Sequence, residues 1–278
     1  MSRFDNLEFD DREDPAPQKA RPQGSSGPVV PPSEPAQFSG STGTPIRDAT
    51  YFSTEGDVAF HVDQLEAALR NYSRALEQDN TLFEGWLGQV RVLLETAEYN
   101  EADLWAGKAL EMFPEQPELL AVKAIASIRM GKSSMALAQS DNALARKGVT
   151  SFVWLARAEI LMATRKPMAE HCLAKAVELS VEGTSRGWTN WEVARLLRRY
   201  RRSAQALVYA HSAVQLLPGE AGVWLELARG QLALKMPEAK QSLEQALHID
   251  RNCAAAQRLL KDYREPGLLR RLLFWRKG

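Results

Sequence analysis

Alanine returns along this chain at an almost constant interval. An alanine, a packing residue four positions later and another alanine seven positions later occur six times: Ala68/Tyr72/Ala75, Ala102/Ala106/Ala109, Ala136/Ser140/Ala143, Ala169/Leu173/Ala176, Ala206/Ala210/Ala213 and Ala239/Leu243/Ala246. The first alanines are separated by 34, 34, 33, 37 and 33 residues. A period in this range is that of a helical solenoid, in which each unit is a helix pair whose apolar face the next unit covers. The small residue recurs because two helices of a hairpin approach closely only where their side chains are short. Such a stack offers an extended concave surface for another chain, not a chemical pocket.

The same segments resemble the tetratricopeptide repeat family, in which a Trp, a Leu-Gly pair, a Tyr, an Ala-x3-Phe element, a further Ala and a closing Pro follow one another. Repeat two carries the pattern most fully, with Trp86 ahead of its first helix, Ala102 and Ala109 in its second and Pro114 at its end. Repeat five closes at Pro218 after Ala206 and Ala213, and Trp154, Trp191 and Trp224 stand at or one place beyond the aromatic position of repeats four, five and six. Phe52 and Gly56 are the counterpart in repeat one, whereas repeat three has Leu120 there and repeat four has Glu182 or a neighbour in place of the proline. The resemblance covers roughly residues 49 to 252. It implies an all-α fold: a right-handed superhelical solenoid of about six helix-turn-helix repeats, closed by a C-terminal capping helix from Cys253 to about Arg264. It also implies a concave face, lined by the first helix of each pair, that binds a partner segment.

Composition narrows the function classes. The 278 residues carry 35 Lys and Arg against 35 Asp and Glu, so the molecule as a whole has no electrostatic signature for nucleic acid. Two cysteines, Cys172 and Cys253, are too few for a disulfide framework. The start lacks the apolar core of a signal peptide, and no window approaches the ~18 apolar residues of a membrane span. The expectation is a cytoplasmic protein, with a peripheral membrane contact open at one end.

Three regions differ in kind. Residues 1–48 hold eight of the 14 prolines and an acidic start, Asp5, Glu8, Asp10, Asp11, Glu13 and Asp14 around Phe4, Leu7 and Phe9; they read as a disordered arm. Residues 49–264 read as the solenoid, with Gly131, Gly148, Pro167 and Pro237 at its turns. The 37-residue step places extra residues near Val181–Gly187, expected as a longer loop and a hinge in the stack. Residues 265–278 form a basic amphipathic tail, in which Leu268, Leu269, Leu272 and Trp275 share a side and Arg270, Arg271 and Lys277 lie more to the other. Three supports fit that tail: the last repeat, a partner protein or an anionic bilayer surface.

The densest charge feature lies in repeat five, where Arg195, Arg198, Arg199 and Arg202 are spaced three and four apart and share one helical face. The expectation is an exposed positive ridge, with Leu196, Leu197 and Tyr200 toward the core. It reads either as a solvated face or as a row of guanidinium forks for an acidic peptide, the chain's own N-terminal arm included. Family members that hold an acidic C-terminal peptide use Lys, Asn and Arg in the groove; the corresponding places here, about Leu87, Arg91, Ala121, Ile125 and Trp154, are apolar except Arg91. Trp191, like Trp154 and Trp224, either plugs the space between repeats or faces the groove. The candidate partner-binding residues are therefore Arg91, Trp191, Arg195, Arg198, Arg199 and Arg202. Chemistry is not written in the chain: His61, His171, His211 and His248 fall at unrelated repeat positions, and no metal set, phosphate loop or nucleophile elbow is present. No cofactor and no nucleic acid are expected, and the oligomeric state is left open.

Overall fold

The alanine-anchored segments form the second helix of each of six hairpins in a computed structural model that describes residues 47–264. The described residues fold into thirteen helices: α1 (Ala49–His61), α2 (Leu65–Gln78), α3 (Phe83–Glu95), α4 (Tyr99–Met112), α5 (Pro117–Arg129), α6 (Ser133–Ala145), α7 (Ser151–Ala163), α8 (Ala169–Leu179), α9 (Thr184–Arg199), α10 (Ser203–Leu216), α11 (Ala221–Ala233), α12 (Ala239–Ile249) and α13 (Ala254–Arg264). The fold is all-α, with paired helix-turn-helix repeats and no strand among the described residues. None of the fourteen anchoring alanines exceeds 2% exposure, as expected if each marks a helix-to-helix contact.

The two helices of a hairpin are not equivalent. Helix α5 buries ten of its 13 residues and α6 only three, so the first helices form an inner layer and the second helices an outer one. Each first helix touches the next, from α1 through α3, α5, α7 and α9 to α11, and α11 touches α1 again. The inner layer is thus a closed ring of six helices.

One device builds all six hairpin turns. Two residues after each first helix the chain adopts a left-handed conformation: Asp63, Ala97, Gly131, Arg165, Arg201 and Lys235, with φ between 54° and 80°. The next amide donates to the carbonyl five residues back, for example Gln64 to Ala59 and Glu98 to Leu93, both at 2.9 Å. This is the Schellman closure, which satisfies carbonyls that a helix end leaves open. Only Gly131, which has no Cβ, takes it without steric cost. Glycine matters more where backbones meet: a Cβ on Gly88 would lie 2.3 Å from the ring of buried Tyr72, and one on Gly222 would lie 2.6 Å from the carbonyl oxygen of His61.

Two expectations change. Trp86 does not precede its helix but lies within α3, where its indole N–H donates to the Asn80 carbonyl at 2.8 Å. Trp224 makes the same bond to Pro218 at 2.9 Å. The insertion between repeats four and five is not a long loop. Gly183 turns the chain at φ 85°, and the residues from Thr184 add an N-terminal turn to α9, at 16 residues the longest helix among the described residues. That turn packs Gly187 against Leu217 and brings Trp188 to the first hairpin. Helix α13 follows as the sequence pattern indicates, burying Ala256 and Leu260 against the sixth hairpin.

Candidate functional site

The face on which a partner segment was expected is occupied by the chain itself. Ring closure seats Val62, after α1, in the sixth hairpin's core with Leu225, Leu243 and Cys253. Phe60 and His61 reach across to α9: His61 stacks on Trp188 at 3.6 Å between centroids and meets Trp191 edge-on at 4.8 Å. Trp191 is 1% exposed and donates its indole N–H to the Gly222 carbonyl at 3.1 Å. Of its two readings, packing is the one observed.

Inside the ring, every first helix or its turn contributes to one connected ion-pair network. Arg91 on α3 pairs with Glu192 on α9. Arg195 on α9 returns the contact to Glu95 on α3 at 3.0 Å, and Arg199 joins the same carboxylate at 2.6 Å. Arg129 on α5 grips Glu159 on α7 through two hydrogen bonds, 2.8 and 3.2 Å, and donates to the Leu94 carbonyl at 2.8 Å. Arg198 grips buried Glu226 on α11 in the same forked way at 2.6 and 2.9 Å, and Arg229 on α11 pairs with Asp63 in the first turn.

Aromatic rings complete this environment. The Arg91 guanidinium lies 4.8 Å from the Phe60 ring centre, and that of Arg195 lies 4.4 Å from Trp191. Burial works against the charge on Arg195, but Glu95, Glu192, Asp63 and Glu226 outweigh it and hold its pKa above the ordinary arginine value. Burial, with Arg91 and Arg195 beside it, pulls His61 down to about 3 and keeps it neutral.

The expected exposed ridge is therefore corrected in part. Arg195, Arg198 and Arg199 lie on α9, which ends at Arg199, so Arg202 falls beyond the helix; Arg195 is only 8% exposed because its side of α9 looks into the ring. Arg91 and Trp191 also point inward. Arg198 and Arg199 stand at the rim, and Arg202, beyond the end of α9, pairs there with the exposed Glu170. What the spacing did not reveal is the acidic half of the network, Glu95, Glu159, Glu192 and Glu226. The available signal was charged residues inside otherwise apolar helices, such as Glu226 in Val223–Ala228, which need a buried partner.

The space left on the axis is about 50 Å³, bounded by residues such as Phe60, Phe152, Glu159 and Arg195. Two larger recesses open at the rim and meet at Arg198. One, about 390 Å³, lies over Asp63, Glu95, Arg195, Arg199 and Arg229; the other, about 730 Å³, lies beside Arg201, Arg202, Ser203 and Leu234. Among the described residues no cluster of His, Cys, Asp or Glu is arranged to hold a metal ion, and no helix is long and apolar enough to cross a membrane. The tail residues Leu268, Leu269, Leu272 and Trp275, and the acidic N-terminal segment, lie outside the described residues.

No family model matches the sequence, and no curated protein matches it. Solved structures do. A thermophilic TPR protein of Thermus thermophilus aligns over 66% of this chain and 99% of its own at 18% identity and a TM-score of 0.49. A tetratricopeptide repeat protein of Parabacteroides merdae aligns over 78% and 84% at 17% and 0.45. A chain of the APC/C Cut9-Hcn1 hetero-tetramer aligns at 17% and 0.45 over 77% of this chain, which spans 42% of that one. The fold assignment rests on the helix pairs themselves: six hairpins and a closing helix, stacked as tetratricopeptide-like repeats.

Proposed function

We propose that this chain is a non-enzymatic scaffold that binds a segment of another protein, and that the contact lies at the arginine-lined mouth of its ring and not along the axis. One observation carries the reading: the axis retains about 50 Å³, too little for a peptide, whereas the rim opens into recesses of about 390 and 730 Å³. Among the described residues the filled, ion-paired interior keeps about 50 Å³ on its axis, below the ~300–1,000 Å³ that small-molecule sites occupy. Crosslinking of the full chain in native lysate, followed by mapping of the crosslinked peptides, tests the reading. A recurrent partner protein joined near Arg198 to Lys235 supports it; crosslinks confined to other faces, or no recurrent partner, contradict it.

Recruitment to lipid through residues 265–278 is a second reading, favoured by one feature of α13. Its outward residues are mainly polar or charged, Gln257, Arg258, Lys261, Asp262 and Arg264, with Tyr263 exposed among them, so the closing helix offers the tail's leucines only a small apolar surface. Flotation with anionic liposomes, comparing the full chain with one ending at Glu265, decides it: equal flotation removes the lipid contact.

A further inference from the structure

The two rim recesses share Arg198 and together are lined by six arginines, Arg195, Arg198, Arg199, Arg201, Arg202 and Arg229, against three carboxylates, Asp63, Glu95 and Glu170. The excess is one of lining side chains, since Glu159, Glu192 and Glu226 pair with Arg199, Arg195 and Arg198 from inside the ring. Its origin lies in the fold, because the C-terminal ends of α9 and α11 meet here and the carbonyl ends of helices favour cations.

The arginines are also oriented in advance. Arg198 gives its Nε and one Nη2 hydrogen to Glu226, which is 2% exposed, and this fixes the guanidinium plane. An arginine has five N–H donors, so the remaining edge of the fork is left to face the recess. Arg199 donates one hydrogen bond, 2.6 Å, to Glu95, which lines the same recess. Arg201 sits on the left-handed turn residue, exposed, and forms no ion pair among the described residues. Guanidinium groups held from behind lose little further freedom on meeting a second carboxylate.

We infer that this mouth is a binding site for an acidic peptide, one carrying several carboxylates with apolar side chains between them; the inference rests on the scaffold reading above. The apolar component comes from Leu65 in one recess and Ala233 and Leu234 in the other, Leu234 being 42% exposed. Forked arginines receive carboxylates in a bidentate manner. A single-stranded nucleic acid also offers anions, but it needs flat aromatic faces for its bases, and neither recess is lined by an aromatic residue.

The test uses the full chain and a short fluorescein-labelled peptide of Glu-Asp-Leu repeats, with fluorescence anisotropy as the readout. Saturable binding is expected, weakened about tenfold or more by raising salt from about 50 to 300 mM. The double variant Arg201→Glu/Arg202→Glu is expected to weaken it by about tenfold or more, that is by about 1.4 kcal/mol. Arg201 is exposed, Arg202 is half-buried with the exposed Glu170 as its ion-pair partner, and neither supports a buried partner, so unchanged helical circular dichroism accompanies the variant. No binding, equal binding by the variant, or tighter binding of an oligothymidylate each overturns the inference. If the acidic peptide fails while a crosslinked partner still maps to the rim, the scaffold stands and only the acidic recognition falls.

Discussion

The imidazole of His61 lies flat against the indole of Trp188, ring centroids 3.6 Å apart and planes 10° from parallel. The two residues belong to the first and fifth hairpins, and their stack, with Val62 buried beside Leu225 and Cys253, turns a row of hairpins into a ring. The filled axis and the charged mouth both depend on that closure.

Trp191 is the largest side chain buried in it, touching Phe60 and His61 and bonded to Gly222. Trp191→Ala is expected to cost about 3–5 kcal/mol, the usual range for removing a buried aromatic. Urea denaturation measures it; a loss below about 1 kcal/mol would mean that this indole does not hold the ring.

His61 links closure to pH. Its folded pKa is lowered to about 3 from 6.5. Between those values the unfolded chain binds a proton that the folded chain excludes, so stability is fully present above pH 6.5 and is lost as pH falls toward 3. Burial moves the Glu159 carboxyl upward, a contribution of opposite sign, so the profile of a single protein mixes the two. Comparing the wild type with His61→Phe isolates the histidine: below pH 6.5 the variant's urea midpoint should gain on the wild type, and parallel profiles would contradict the assignment.

The network is stable only as a set. Glu159 is 4% exposed and held by Arg129. Arg129→Met should cost about 3–5 kcal/mol, because it strands a buried carboxylate, whereas Arg129→Met with Glu159→Leu should recover most of the loss. Additive losses in this double-mutant comparison would show that the two side chains act independently.

The hairpin turns carry a removable strain. Ala97 has φ 64°, a left-handed conformation that costs a residue with a Cβ about 1–2 kcal/mol. Ala97→Gly should raise stability by about 0.5 kcal/mol after glycine's entropic cost, and Ala97→Val should lower it by about 1 kcal/mol or more. Opposite signs in thermal unfolding are the expected result; a loss in both would mean that this turn relaxes.

The hairpins were legible in the sequence because their information is local. Ala102 and Ala109 report a contact made within one helix pair, and the period repeats it until chance is excluded. Ring closure was not legible. Asp63 and Arg229, or Arg91 and Glu192, meet only after the rotation of successive hairpins accumulates, and no short-range pattern encodes that angle. The arginine spacing holds for Arg195, Arg198 and Arg199 but not for Arg202, which lies past the end of α9, and the ridge is not open, since arginine is seldom buried without partners and those partners stand on other helices. The insertion before α9 was misread because Gly183 and Gly187 suggest a loop, while Gly187 serves close packing on Leu217.

The most direct test of closure is the distance between the first and last hairpins. Gln64 donates to the Asn252 carbonyl at 3.4 Å, so spin labels on the exposed neighbours Glu66 and Arg251, with buried Cys172 and Cys253 replaced by alanine, sit on opposite sides of the seam. Pulsed electron paramagnetic resonance should give a short, narrow distance distribution that lengthens and broadens in Val62→Asp. A long or broad distribution in the otherwise unaltered chain would contradict the ring, and with it the filled axis.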